Sequence, residues 1–292
     1  MIPATTASAT PEAQKMPPQN HPMSPRQSPL LVLALAASWL CSFIPVGLAA
    51  SATTDGSGTG MPSPSIIVLV HGAHGGGWQF KQVGAILEAK GWTVYRPTLS
   101  GLGERHHTAT ADIGLATHID DIVNLVLFED LHDVVLLGHS YAGIVVSGVA
   151  DRIPERIKRL VYLDAFLPVD GESLMTTPRP DEADDLKKLF KNGFIVRPNM
   201  MADAPPPRLV PQPGKTFTDT ITLKNPAAAK IPGSSILTVA KGKRPGDDTF
   251  YVSYVRAKDR GWPVRIMEGS HFPMLIQPEA TADLLLEILA IP

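Results

Sequence analysis

A serine hydroxyl attacks a carbonyl carbon only when a base takes its proton and donors await the oxygen that becomes negative. One serine in this 292-residue chain stands where such help could converge. Val134-Val135-Leu136-Leu137 is an apolar run of the kind that forms a buried strand, Gly138-His139-Ser140-Tyr141-Ala142-Gly143 is a sharp corner of mostly small residues, and the segment that follows to Ile153 has the length and apolar content of a packed helix. Ser140 therefore sits on a strand-to-helix turn, the nucleophile elbow, where a tight corner lifts the hydroxyl above the sheet edge. The usual G-x-S-x-G has shifted: Ala142 holds the fifth position and Gly143 follows, a difference of one methyl that a helix start tolerates. An ordinary Gly-Ser turn would read the same way in isolation, so the partners decide.

The base is expected at His271, in Glu268-Gly269-Ser270-His271-Phe272-Pro273, which follows the last strand-like run and so falls at the same end of a parallel sheet as Ser140. Serine early and histidine late is the chain order of this arrangement. The other histidines have weaker claims: His21 precedes an apolar segment, His106 and His107 occupy a loop, and His139 is expected to point away from the nucleophile in a packing role. Oxyanion donors would be the backbone N–H of Tyr141, the residue after the nucleophile, and that of Ala73 in the glycine-rich run His71-Gly72-Ala73-His74-Gly75-Gly76-Gly77-Trp78. A phosphate cradle is the rival reading of that run, but no G-K-[ST] follows it.

The elements needed to position these groups alternate. Ser65 to Val70 is a buried-strand run, Gln79 to Lys90 has helical spacing closed by Gly91, Trp92 to Arg96 is a strand, Thr98 to Thr110 a loop and Ile119 to Phe128 a helix. After the elbow come the strand Arg159 to Leu163, the strand Ser235 to Ala240, a helix from Thr249 to Asp259, the strand Val264 to Met267 and a final helix from Glu279 to Leu289. Strand and helix in turn imply a mostly parallel sheet covered on both faces. Between Gly171 and about Pro232 the alternation fails; a charged helical piece, Asp181 to Phe190, precedes the proline-dense stretch Asn199 to Gly214. An insertion there would form a lid over the strand carboxyl ends, where open α/β sheets bind ligands.

The first 52 residues have a different character. Arg26 precedes the apolar run Leu30 to Leu40, and small residues to Ala52 suit cleavage near Ala50 or Ala52, which reads as a secretory signal with the product secreted or periplasmic. Pro45 and Gly47 interrupt the run, which is short for a membrane span; an uncleaved anchor is the alternative, and Met16 or Met23 are alternative starts. The single cysteine, Cys41, falls inside this segment, so the mature chain is expected to have neither a disulfide nor a thiol nucleophile. Residues 53–64 read as a flexible tether, and residues 65–292 as one α/β domain. A net charge of -2 without a basic stripe argues against nucleic acid as a partner.

Taken together, Val68 to Trp78, the Gly138-His139-Ser140-Tyr141 corner and the Gly269-Ser270-His271 loop resemble the α/β-hydrolase superfamily, and within it the branch of plant methylesterases, hydroxynitrile lyases and bacterial pyrethroid-hydrolase-type esterases. Thr98-Leu99-Ser100-Gly101-Leu102-Gly103-Glu104-Arg105 and Tyr162-Leu163-Asp164-Ala165-Phe166 resemble the bacterial members. The resemblance implies an α/β-hydrolase fold with a lid insertion, from about Ser65 to the C-terminus. The lyases of that branch carry a threonine near the oxyanion loop and a lysine directly after the catalytic histidine; Gly72 and Phe272 stand at the similar positions here, which favours ester hydrolysis. Many relatives place the triad acid after the strand matching Ile236 to Ala240, where this chain has Lys241-Gly242-Lys243. Asp164, which ends the strand after the elbow, is preferred as the acid over Asp247 or Asp248, which precede a helix start where Asp is a common cap.

The expected reaction is hydrolysis of a small-molecule carboxylic ester through an acyl-enzyme on Ser140, with no metal or organic cofactor implied. Trp78, Phe166, Phe272 and Met274 are candidate walls of an apolar pocket. A carbon-carbon lyase in the same pocket, or a catalytically silent ligand binder, are the alternatives; oligomeric state is not readable.

Overall fold

A computed structural model of the chain describes residues 65–176, 180–198, 200 and 204–291. The signal-like segment, Cys41 and the tether lie outside the described residues.

In chain order the first half gives β1 (Ile66–Val70), α1 (Lys81–Ala89), β2 (Thr93–Tyr95), α2 (Leu115–Phe128), β3 (Val134–His139), α3 (Ala142–Arg152) and β4 (Ile157–Leu163). The insertion holds α4 (Pro180–Lys188), the short strands β5 (Phe190–Lys191), β6 (Phe194–Ile195) and β7 (Gln212–Pro213), and a single turn, α5 (Lys215–Thr218). The regular pattern resumes with β8 (Gly233–Val239), α6 (Tyr251–Asp259), β9 (Val264–Glu268), α7 (Pro273–Ile276) and α8 (Pro278–Leu289). Six strands form one sheet in the order β2-β1-β3-β4-β8-β9, every pairing parallel.

Alternate residues of each inner strand enter opposite cores, as the two-residue period requires. Val68, Val70, Leu136, Leu160 and Tyr162 pack with α2 and α3 on one face. Ile67, Leu69, Val135, Leu137, Val161 and Leu163 pack with α1 and α8 on the other. This doubly covered sheet is an α/β-hydrolase fold. Parallel strands bring every connection after β1, β3, β4, β8 and β9 to one edge, so the glycine-rich loop, Ser140, Asp164 and His271 converge although 200 positions of sequence separate the first from the last.

Some element boundaries differ from sequence expectation. Helix α2 starts at Leu115 rather than Ile119, because Asp219 of the insertion accepts the Leu115 N–H at 3.0 Å. Helix α6 starts at Tyr251 rather than Thr249, after Asp248 accepts the Phe250 N–H at 2.8 Å. The expected helix from Gln79 divides into a 3-10 turn, Gly77–Phe80, and α1; the expected loop at 98–110 contains another, Gly103–Thr108. Among the described residues no helix is long and apolar enough to cross a membrane.

Helix α3 approaches the sheet closely enough to need glycines. A β-carbon on Gly138 would meet Ala142 O at 2.6 Å, and one on Gly143 would collide with the Phe166 carbonyl. Gly143→Ala is therefore expected to lower unfolding stability by about 1–3 kcal/mol, as overpacking does, read as a fall in the urea midpoint. Gly246→Ala, where the nearest atom is 3.8 Å away, serves as the control and should stay within about 0.5 kcal/mol of wild type.

Candidate active site

Ser140 leaves β3 with φ 55°, a left-handed conformation unusual for a residue with a β-carbon. The corner is held from both sides. Its N–H reaches Leu163 O at 3.3 Å and Asp164 O at 3.2 Å, and its own carbonyl accepts from Gly143 N at 3.1 Å and Phe166 N at 3.1 Å. With Tyr141 already helical at φ -46°, ψ -43°, the serine side chain is raised clear of the sheet edge.

The structure brings Ser140, His271 and Asp164 into one hydrogen-bonded line. His271 Nδ1 lies 2.6 Å from Asp164 Oδ2, and His271 Nε2 lies 2.9 Å from Ser140 Oγ. An ionised carboxylate only accepts, so Nδ1 carries the proton and Nε2 is left to accept from the serine hydroxyl. Asp164 also adopts a left-handed backbone, φ 46°, and is 1% exposed. Its N–H donates to Ile236 O at 2.7 Å, while its Oδ1 accepts the Thr238 N–H at 2.8 Å. Strand β8 thus contributes a backbone donor to the Asp164 carboxylate. Asp247 instead pairs with Arg244 at 3.0 Å, and Asp248 caps Phe250.

The His271 ring is clamped. Phe250 stacks on it at 5.1 Å and 6° between planes, Phe272 meets it edge-on at 5.0 Å, and His139 lies 4.7 Å away. His139 does pack, against Phe80 and Phe272, yet it points toward the site rather than away: its Nε2 donates to the His271 carbonyl at 2.7 Å. That bond fixes the loop carrying His271.

Ala73 and Tyr141 both face the cavity at Ser140, and among the described residues neither N–H has a protein acceptor. Neighbouring groups brace the glycine-rich loop. Gln212 Oε1 accepts the His74 N–H at 2.9 Å, His74 Nδ1 donates to Val210 O at 3.0 Å, and Val210 N–H returns to His74 O at 2.9 Å. The insertion is therefore laced to the loop at His74, whose φ is 65°. The Thr98 to Arg105 motif is a brace too: Thr98 Oγ1 accepts Gly77 N–H at 2.8 Å, and Ser100 N–H and hydroxyl both bind Asp121 at 2.7 Å.

A cavity of ≈ 550 Å³ opens above Ser140 and His271. Phe166 lines it as expected from its position, but Trp78, Phe272 and Met274 are not among its lining residues; Trp78 lies beside Gly76, and Phe272 and Met274 join the core beneath α1 and α8. The apolar walls come instead from Phe250 and from the insertion, with Leu174, Leu186, Leu189 and Phe217. The charged helical piece expected at Asp181 to Phe190 corresponds to α4 and carries Leu186 and Leu189, but its charged character and the irregular text around it held no motif that marked these residues as wall. A larger hollow of ≈ 710 Å³, at the opposite end of the strands near Ser65, Trp92 and Arg159, contains none of these groups. Among the described residues no cluster of metal-ligating side chains occurs.

Comparison with known proteins follows the same division. The Alpha/beta hydrolase family profile matches residues 67–284. A carbendazim hydrolyzing esterase from Nocardioides sp. is 34% identical over 235 residues, covering 74% of this chain and 96% of that protein. Methylesterase 8 of Arabidopsis thaliana is 25% identical over 241 residues, covering 76% and 88%. Among solved structures, an extracellular alpha/beta-hydrolase from a Paenibacillus species superimposes with a TM-score of 0.64 at 24% identity, covering 77% of this chain and 99% of that one.

Around the site lie imidazoles that must stay neutral. His71 accepts the Leu99 N–H on Nε2 at 3.1 Å and donates from Nδ1 to Gly72 O; His118 donates to Ser100 O at 2.9 Å and accepts the Tyr141 hydroxyl at 2.8 Å. Burial lowers the pKa of His71, His74 and His118 to about 4 and that of His139 well below its ordinary value. Because these folded values lie below the unfolded value of 6.5, the unfolded chain binds more protons between pH 6.5 and 4. Stability should be complete above pH 6.5 and fall as pH drops through that window, by on the order of 1.4 kcal/mol per pH unit for each such histidine. Urea unfolding across pH 4.5–7.5 checks this, and His118→Gln should reduce the slope by about one proton.

Proposed function

The chain belongs to the alpha/beta hydrolase family, and from that premise we propose that it is a serine esterase acting on small-molecule carboxylic esters through an acyl-enzyme. The observation that carries the reading is the unbroken relay from Thr238 N–H through Asp164 and His271 to Ser140, opening on an apolar cavity. Esterase-named relatives support the same class.

In this mechanism His271 Nε2 takes the Ser140 hydroxyl proton as Oγ bonds to the ester carbonyl carbon. The carbonyl oxygen gains the negative charge, and the Ala73 and Tyr141 N–H groups receive it. The oxyanion then re-forms the carbonyl, the bond from the carbonyl carbon to the alkoxide oxygen breaks, and His271 passes its proton to that oxygen so that the alcohol leaves. Water repeats the sequence on the acyl-enzyme, giving the acid and restoring Ser140. Asp164 keeps the imidazole tautomer and stabilises the imidazolium without taking the proton.

The surroundings of Gly72 and Phe272 support hydrolysis over lyase chemistry. A β-carbon at Gly72 would lie 2.8 Å from His139 Nδ1 and 3.0 Å from Ser140 Cβ, so threonine has no room there. Phe272 packs its ring against His139 and His271, where the lyases of this branch place an ammonium.

A panel of p-nitrophenyl esters of increasing acyl length tests the proposal. Ser140→Ala should abolish turnover, Asp164→Asn should lower kcat by roughly 10³–10⁴-fold, and Asp248→Asn should leave kcat near wild type. A wild-type enzyme inactive across the panel would overturn the reading. Export is part of the same proposal: protein recovered from the periplasm or culture medium should begin at Ser51 or Thr53, read by N-terminal sequencing.

A further inference from the structure

The cavity above Ser140 is mostly apolar, but a cation stands in its wall. Arg197, which follows β6 in the insertion, lines the cavity with Ala73, Phe217 and Phe250. Among the described residues its guanidinium has no carboxylate in ion-pair range and forms no hydrogen bond. The residue is exposed on the cavity rim, yet enough water is lost around the charged group to lower its pKa, with no acid opposing that shift. Its charge also helps lower the pKa of His74, whose neighbour Ala73 shares the cavity wall.

The carboxylates that share the cavity wall are already engaged. Asp185 pairs with Lys188 at 2.7 Å, and Asp248 accepts the Phe250 N–H at 2.8 Å. A partly dehydrated guanidinium without a counter-charge among the described residues is uncompensated by the protein itself. Its planar fork of donors matches a carboxylate with two parallel hydrogen bonds. A phosphate dianion would fit less well, because it would bring two charges into a wall that also presents Asp185 and Asp248.

We propose that Arg197 selects esters that carry a second, anionic group: monoesters of dicarboxylic acids, whose free carboxylate binds Arg197 while the ester carbonyl meets Ser140. This rests on the esterase reading. A cation at this position could instead assist the oxyanion of every ester alike, and the two roles separate by substrate.

The test compares wild type, Arg197→Gln and Arg197→Lys on two matched pairs: monomethyl terephthalate against methyl 4-methylbenzoate, and monomethyl adipate against methyl hexanoate. For Arg197→Gln, kcat/KM should fall about tenfold or more on the anionic esters, mainly through KM. It should stay unchanged on the neutral ones. Arg197→Lys should restore part of the loss, and the wild-type preference for the charged ester should shrink as salt rises. Equal losses on both members of a pair, no loss on either, or no wild-type preference would overturn the proposal.

Binding supplies a readout independent of turnover. Calorimetric titration of monomethyl adipate should show weaker binding to Ser140→Ala/Arg197→Gln than to Ser140→Ala; equal binding would overturn the proposal. Failure of the wild type to hydrolyse any ester, neutral or charged, would count against the esterase reading, while the titration would still decide whether Arg197 holds a carboxylate.

Discussion

Two left-handed corners at the ends of adjacent strands, Ser140 after β3 and Asp164 after β4, hold each other in place. The N–H of one corner reaches the Asp164 carbonyl of the other, and the carbonyl of Ser140 accepts the Phe166 N–H just beyond it. A non-glycine residue in such a conformation costs on the order of 1–3 kcal/mol and persists only where its surroundings over-determine it. The bond from Asp164 N–H to Ile236 O adds β8 to the same knot. Ser140 and Asp164 are consequently positioned by one backbone network across three strand ends, and His271 is added to a frame that is already set. Gly143 belongs to this constraint, since a side chain there would strike the Phe166 carbonyl and separate the two corners.

What was legible in the sequence is what local pattern encodes. The elbow, the glycine-rich loop and the His271 loop each sit on a strand end, and parallel strands place such ends together without further information. Their geometric convergence with Asp164 follows from the same topology. The reach of β8 to that acid was less legible: Lys241-Gly242-Lys243 shows that no carboxylate occupies the usual place, but only the fold reveals that Thr238 contributes its N–H instead. His139 illustrates the limit on a single residue. Its burial was foreseeable, whereas the destination of its ring N–H, the His271 carbonyl 132 positions away, is a tertiary fact.

The insertion was least legible for the same reason. Its strands are two residues long, too short for any periodicity to register, and its order comes from contacts with distant residues. Asp219 caps α2, Gln212 and Val210 bind His74, and Glu172 makes a two-bonded pair with Arg256 of α6, both contacts at 2.7 Å. The described residues flanking the proline-dense stretch supply much of the cavity wall, and no local pattern marked them. Of the aromatic candidates nearest the motifs, Phe272 lies outside that wall because it packs against the core beneath it, and Trp78 lies beside Gly76 instead.

That packing also couples Gly72 to the loop that carries His271. His139 fills the space beside Gly72 and uses its Nε2 to hold the carbonyl of His271, so its ring cannot swing aside without freeing the loop that carries His271. Accommodating a larger residue at 72 would demand a different residue at 139, and replacing Phe272 would remove a ring that His139 and His271 both lean on. The three positions form one packed unit around the histidine. Substituting Gly72 or Phe272 alone would disturb the placement of His271 before it introduced any new chemistry, because the interior is close-packed and yields by fractions of an ångström at most. Room for a larger side chain beside Ser140 would thus require coordinated substitution at all three positions.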